Sequence, residues 1–319
     1  MPQPSERTDE YTFVELWEKL GAEATAKKLK MSLRGVYQRR ARLEKKFQRQ
    51  IQHVAVDRRF TTRVGAHHPA RLEYDLRDGI ALVGSDLHIW PGDPPVMHRA
   101  FVKFCVDLEP QAVILNGDVL DMAAVSRHAP IGWEHRPTVQ QEIEAGQDRL
   151  SEIEKVVKRG VPKIWTLGNH DGRFETRLAT VAPEYAKIHG VHLKDHFSHW
   201  EPCWSVWLND TVIKHRFRGG IHAVYNNTLH SGKHIVTGHL HSAKVTPFTD
   251  YNGTRYGVDG GCMADTNHDA FVHYTEDNPL NWRSAFVVLT FRNRELLFPE
   301  LVVKYDEKHV QFRGEVIKC

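Results

Sequence analysis

The sequence predicts an α/β protein: a four-layered α/β/β/α sandwich over residues 79–319, after a small all-α domain (1–50) and a linker (51–78). Three observations predict it. Apolar strand-like runs at 80–84, 112–115 and 163–167 alternate with helical patterns, which implies right-handed crossovers and a parallel sheet. After about residue 200 the chain becomes strand-rich, with turn signals at Asn209-Asp210 and Asn252-Gly253 and two further runs at 285–291 and 301–305, enough for a second sheet packed on the first. Residues 1–71 hold 16 Lys/Arg against 8 Asp/Glu, net +8, and the rest 27 against 32, net −5, so a basic head precedes a mildly acidic body.

The head reads as three helices. Phe13, Val14, Leu16, Trp17 and Leu20 cluster within 11–20, and Gly21 ends that helix. Residues 22–29 form a second. Ser32 caps a third from Leu33 to about Gln50, whose buried stripe is expected to be Leu33, Val36, Tyr37, Leu43 and Phe47. Seven cations crowd it (Arg34, Arg39, Arg40, Arg42, Lys45, Lys46 and Arg49), with Glu44 alone opposing. The second and third helices resemble a helix-turn-helix module, which implies salt-dependent phosphate contact. A solvated basic helix is the competing reading.

In the body, Met97, Ala100, Phe101, Phe104, Cys105 and Leu108 recur at helical spacing and Pro110 closes the run; Ile143, Leu150, Ile153 and Val157 do the same before Gly160. The strands share one design: each ends abruptly in metal-loving side chains. Residues 80–84 run into Asp86 and His88; 112–115 into Asn116, Asp118 and Asp121; 163–167 into Asn169, His170 and Asp171; 211–214 into His215; 235–237 into His239 and His241. Such groups converge only if the strands lie side by side and end at one rim, where open α/β sheets hold ligands. Carboxylate, imidazole and carboxamide together suit divalent ions from hard to borderline. The four cysteines are far apart and form no C-x-x-C pair, so neither a disulfide framework nor a cysteine-ligated zinc is expected.

In order, Asp86-Leu87-His88, Gly117-Asp118-Val119-Leu120-Asp121, Gly168-Asn169-His170-Asp171, His215 and Gly238-His239-Leu240-His241 resemble the five signatures of the calcineurin-like metallophosphoesterases, over residues 79–305. The resemblance implies two divalent cations bridged by Asp118. Asp86, His88 and His241 would complete one site; Asn169, His215 and His239 the other. A hydroxide bridging the cations would attack phosphorus, and His170, held by Asp121, would serve as general acid. Asp171 is read as an orienting group. Because D-x-H and H-x-H use alternate positions, the strand ends must kink. Many relatives carry glycine where this chain has Arg216, which leaves His222 as the substitute for His215. Arg173, Arg216, Arg218 and Trp133 are candidate substrate contacts; Arg173 is equally placed to cap the following helix, and Trp133 closes a loop, 129–133, that can overhang the site.

Within the resemblance, His170 argues against the lipid-precursor pyrophosphatases, and Asp121-Met122-Ala123 against the serine/threonine phosphatases. The expectation is a phage-type dimetal phosphodiesterase or nuclease acting on DNA, which the basic head would recruit. The alternatives are a small-molecule phosphodiesterase (for cyclic nucleotides, for example) or phosphomonoesterase, and a DNA-binding regulator without turnover. Manganese stands first among the metals; Fe²⁺, Zn²⁺ and Ni²⁺ also suit the ligands. No apolar stretch approaches the ~20 residues of a membrane span, and residues 1–7 lack a signal-peptide core, so no membrane partner and a cytoplasmic location are expected.

Overall fold

The structure, a computed structural model, describes residues 8–51, 62–65, 68–130, 133–268, 271, 275 and 278–319. The chain divides into two compact units, Met1–Phe60 and Thr61–Cys319. No helix among the described residues is long and apolar enough to cross a membrane.

In the first unit, the Asp9 carboxylate caps the helix Glu10–Lys28 by accepting from the Thr12 amide at 2.9 Å. Gly21, at φ 78° and ψ 179°, interrupts it, so two helical segments meet where the sequence places a stop. Ser32 caps the helix Leu33–Phe47, which ends at Gln48 in a left-handed conformation. Phe13, Val14, Trp17, Ala26, Val36, Leu43 and Ile51 form the core. The buried stripe is narrower than expected: Val36 and Leu43 are buried, Phe47 is partly buried, and Leu33 and Tyr37 are exposed. The Arg40 guanidinium lies 5.1 Å from the Trp17 ring centroid and 5.8 Å from that of Tyr37, so a cation closes the flank of this small core.

The second unit is built on two sheets. One orders its strands Glu315–Lys318, His309–Phe312, Glu300–Lys304, Ala285–Arg292, Gly79–Gly84, Ala112–Asn116, Lys163–Thr166 and Glu201–Cys203, with Glu295–Leu296 beside Ala285–Arg292. Its last four strands are parallel, in the register Gly84↔Leu115 and Asn116↔Thr166, so their carboxyl ends align. The other sheet orders Thr62–Val64, Arg71–Asp75, Ser205–Leu208, Thr211–Ile213, His234–Thr237, Gly253–Asp259 and Lys244–Asp250. Thr62–Val64 and Arg71–Asp75 thus pair as strands inside the span read as a linker. Leu72 and Tyr74 are the buried apolar residues of the second strand, an alternation too brief to stand out in sequence.

Period-two alternation assembles the layers. Ala81, Val83, Ala112, Ile114, Val287 and Leu289 meet Val206, Leu208, Ile213, Val236 and Val258 between the sheets. Leu82, Val113, Leu115, Phe286 and Val288 face outward under the helices Val96–Leu108 and Val139–Val156. The helix Ala223–Ser231, which the sequence reading lacked, packs on the other sheet. The order helix, sheet, sheet, helix is the one expected.

Candidate metal centre

Five residues just past strand ends, Asp86, His88, Asp118, His239 and His241, adopt left-handed φ angles between 40° and 73°. Such non-glycine conformations cost of order 1–3 kcal/mol each and persist only where surroundings impose them. Here the constraints are hydrogen bonds between the ligand loops: Asp86 N to Gly117 O and His88 N to Asp118 O, each 3.0 Å, and His239 N to Asp86 Oδ2, 2.9 Å. The bends let alternate residues serve one side of the rim. Two glycines make room: a Cβ on Gly168 would collide with the Asp118 carboxylate, and one on Gly238 with that of Asp86.

Three groups offer donor atoms within 4.8 Å of one another: the two clusters Asp86/His88/His241 and Asp118/His215/His239, and a third, His88/Asp121/His170, that shares His88 with the first. Asp86 Oδ1 lies 3.1 Å from His241 Nε2 and 4.0 Å from His88 Nε2. Asp118 Oδ2 lies 3.0 Å from His215 Nε2, which is also 3.9 Å from Asp86 Oδ1. His215 Nδ1 donates to the Asn116 carbonyl at 2.8 Å and His88 Nδ1 to Asp121 at 3.1 Å, so each presents Nε2 to the rim. The His88 Nε2 atom and the Asn169 carboxamide oxygen are buried without a hydrogen-bond partner. Buried polar atoms rarely stay orphaned, and lone pairs of N and O donors converging on carboxylates fit divalent cations.

Two further carboxylates organise the rim. Asp171 accepts five N–H groups, from Asp118, Val119, Leu120, Gly168 and the Trp165 indole, at 2.8 to 3.2 Å. It clamps the Asp118 loop and belongs to neither cluster. Burial and the adjacent Asp118 charge push its pKa up to about 6, which leaves it ionised at neutral pH. Asp121 accepts from His170 Nδ1 at 2.7 Å as well as from His88, so one carboxylate orients a ligand and the imidazole beside it. Glu142, fully buried, holds the next turn by accepting from the Met122 and Ala123 amides. These roles of Glu142, Trp165 and the Asn116 carbonyl carried no signal in the sequence.

Electrostatics divides the histidines. Burial lowers the pKa of His88 and His239, keeping them neutral. Burial also works against a charged His215, but Asp86 and Asp118 prevail and raise it to about 9, so a proton sits where a cation would compete for the site. For His170, burial is outweighed by the hydrogen bond to Asp121 and the charges of Asp118 and Asp121; the net shift is upward, with Arg173 opposing it.

The other candidates fall as follows. Arg173 donates to the Asp121 carbonyl at 2.8 Å and reaches His170 Nε2 at 3.0 Å, so it packs on the imidazole rather than capping a helix. Arg216 and Arg218 line a recess beside His215 and His239. Trp133 is fully exposed; Ile131 and Gly132 of its loop lie outside the described residues. His222 is exposed and outside both clusters. In the head, Arg39 covers Phe13, Arg40 pairs with Glu44, Lys46 with Glu10 and Arg49 with Glu18. Arg34, Arg42 and Lys45 are exposed and form no ion pair among the described residues.

No protein-family model matches the chain. It is similar to the Gene 54 proteins of Mycobacterium phages L5 and D29, at 25% and 26% identity over 244 residues, covering 69% of this chain and 92% of each relative. Similar solved structures include Vps29 complexed with zinc from Entamoeba histolytica (TM-score 0.39, 13% identity, 75% of this chain and 98% of that one) and a dimetal phosphatase from Danio rerio (TM-score 0.33, 10% identity, 76% and 98%). Another is Yfce, a phosphoesterase from E. coli (TM-score 0.30, 14% identity, 69% and 97%).

Proposed function

We propose that this protein is a dimetal phosphoester hydrolase of the calcineurin-like metallophosphoesterase kind, and that its substrate is a phosphodiester of DNA. One observation carries the hydrolase reading: two ligand clusters lie side by side, and beside them an imidazole, His170, is fixed by the Asp121 carboxylate in a third group that meets the first at His88. Asp86, His88 and His241 would hold one cation and Asn169, His215 and His239 the other, with Asp118 shared; manganese is the first choice. Once bound, such a pair neutralises phosphate charge and lowers the pKa of water.

The chain's own groups supply the rest. Asp121 accepts the Nδ1 proton of His170 and turns Nε2 outward, the geometry of a general acid. Arg173 donates to that Nε2 in this structure, so the imidazole can deliver a proton only after the guanidinium takes another acceptor. A phosphate oxygen is the acceptor that the reaction brings. The DNA reading draws support from the head. At 100° per residue, Arg34, Lys45 and Arg42 fall within roughly 80° of arc, opposite the buried Val36 and Leu43. An unpaired cationic face suits a polyanion.

The test is a substrate screen with Mn²⁺-loaded protein: bis-p-nitrophenyl phosphate, cyclic nucleotides, and linear, circular and single-stranded DNA. Hydrolysis of the ester and of DNA is expected. Turnover of small esters and cyclic nucleotides but never DNA would assign a small-molecule enzyme, and no turnover of any would leave a DNA-binding regulator.

A further inference from the structure

A recess of about 440 Å³ opens beside the second ligand cluster and shares His215 and His239 with it. Lys214, Arg216 and Arg218 line it, although the body they belong to is net acidic. Some other cations of that body are paired, Arg294 with Asp75 and Arg313 with Glu300 among them. Among the described residues, none of the three forms an ion pair.

Aromatic rings interleave these cations. Trp204 is 53% and Phe217 44% exposed, and both line the recess. Lys214 Nζ lies 5.3 Å and the Arg218 guanidinium 5.7 Å from the Phe217 ring centroid. Cations alone would serve any polyanion. Exposed rings add a surface on which bases stack, and that surface serves only bases that are not already stacked and paired in a duplex. A lone phosphomonoester would need neither three cations nor two rings.

We propose that this recess is a groove for single-stranded DNA, in which Lys214, Arg216 and Arg218 hold phosphates next to the scissile one while Trp204 and Phe217 stack unpaired bases. The identity of the scissile phosphate rests on the hydrolase reading; strand binding in the groove does not.

The experiment is fluorescence anisotropy of a labelled twelve-nucleotide oligothymidylate and of a labelled duplex with the full-length protein, without added metal, across a salt series. Replacing Lys214, Arg216 and Arg218 together by Gln is expected to weaken single-strand affinity by about tenfold or more and to flatten the salt slope by about 2, at roughly 0.7 per phosphate contact. Duplex affinity should change by less than about threefold, because phosphate contact without stacking places no demand on the groove. The charge-keeping variant, Lys214→Arg with Arg216→Lys and Arg218→Lys, should keep the wild-type slope. An unaltered single-strand slope in the Gln variant, or an equal loss for duplex, overturns the proposal. Hydrolysis of bis-p-nitrophenyl phosphate by Mn²⁺-loaded wild type is scored separately: its absence would sink the hydrolase reading, and the slope would still report the groove.

Discussion

Arg173 sets its guanidinium 3.0 Å from Nε2 of His170, the nitrogen from which a proton would leave. Arginine only donates, so Nε2 accepts in this state while Nδ1–H is given to Asp121 at 2.7 Å. A cation so close lowers an imidazole pKa, against the upward pull of the two aspartates. Arg173→Gln should therefore move the His170 titration to higher pH, read from its imidazole resonance in metal-free protein. A titration that stays put or moves down would show that the two side chains do not meet in solution.

His170→Ala should leave the bound-metal stoichiometry unchanged, because it leaves Asp86/His88/His241 and Asp118/His215/His239 complete, and should slow DNA hydrolysis by about 10²–10⁴. The loss should be much smaller for bis-p-nitrophenyl phosphate, whose leaving group departs readily without a proton. Equal losses on both substrates, by steady-state kinetics, would mean that His170 acts on something other than the departing oxygen.

Asp171→Asn replaces a carboxylate that serves five N–H donors with a group that has one acceptor and brings two donors of its own. Denaturant unfolding should show a loss of about 3 kcal/mol or more, and the apparent metal affinity should fall as the Asp118 loop relaxes. A loss within about 0.5 kcal/mol, the range of an ordinary surface substitution, would remove Asp171 as the clamp.

The metal-free protein should lose stability as pH rises. The His215 pKa is raised from 6.5 to about 9, so the stabilisation from its charged form is complete below about 6.5 and disappears as pH climbs through about 9. Thermal melts between pH 6.5 and 9 should show Tm falling. With metal present the trend should reverse, since the cation and the proton compete for His215. A metal-free Tm that rises over this interval would contradict the pairing of His215 with Asp118.

Legibility from sequence followed chemistry. Asp86, His88, Asp118, His215, His239 and His241 announced themselves because ionisable groups at the ends of apolar runs have few structural uses, and their clustering follows from the parallel register alone. Asp171, read in sequence as an orienting group, clamps backbone, but its partners are amides brought together only by folding. In the head, seven cations looked alike; helix packing then paired or covered Arg39, Arg40, Lys46 and Arg49 and left Arg34, Arg42 and Lys45. Thr62–Val64 and Arg71–Asp75 escaped notice because strands of three and five residues carry too few alternations. Lys214 and Trp204 were invisible as a pair, lying ten positions apart on different elements that meet only at the recess.

The most direct measurement is anomalous diffraction from crystals grown in excess Mn²⁺. Two peaks are expected, one among Asp86, His88 and His241, the other among Asn169, His215 and His239, with the Asp118 carboxylate reaching both. Peaks absent from that rim, or a single ion out of reach of Asp118, would contradict the dimetal account.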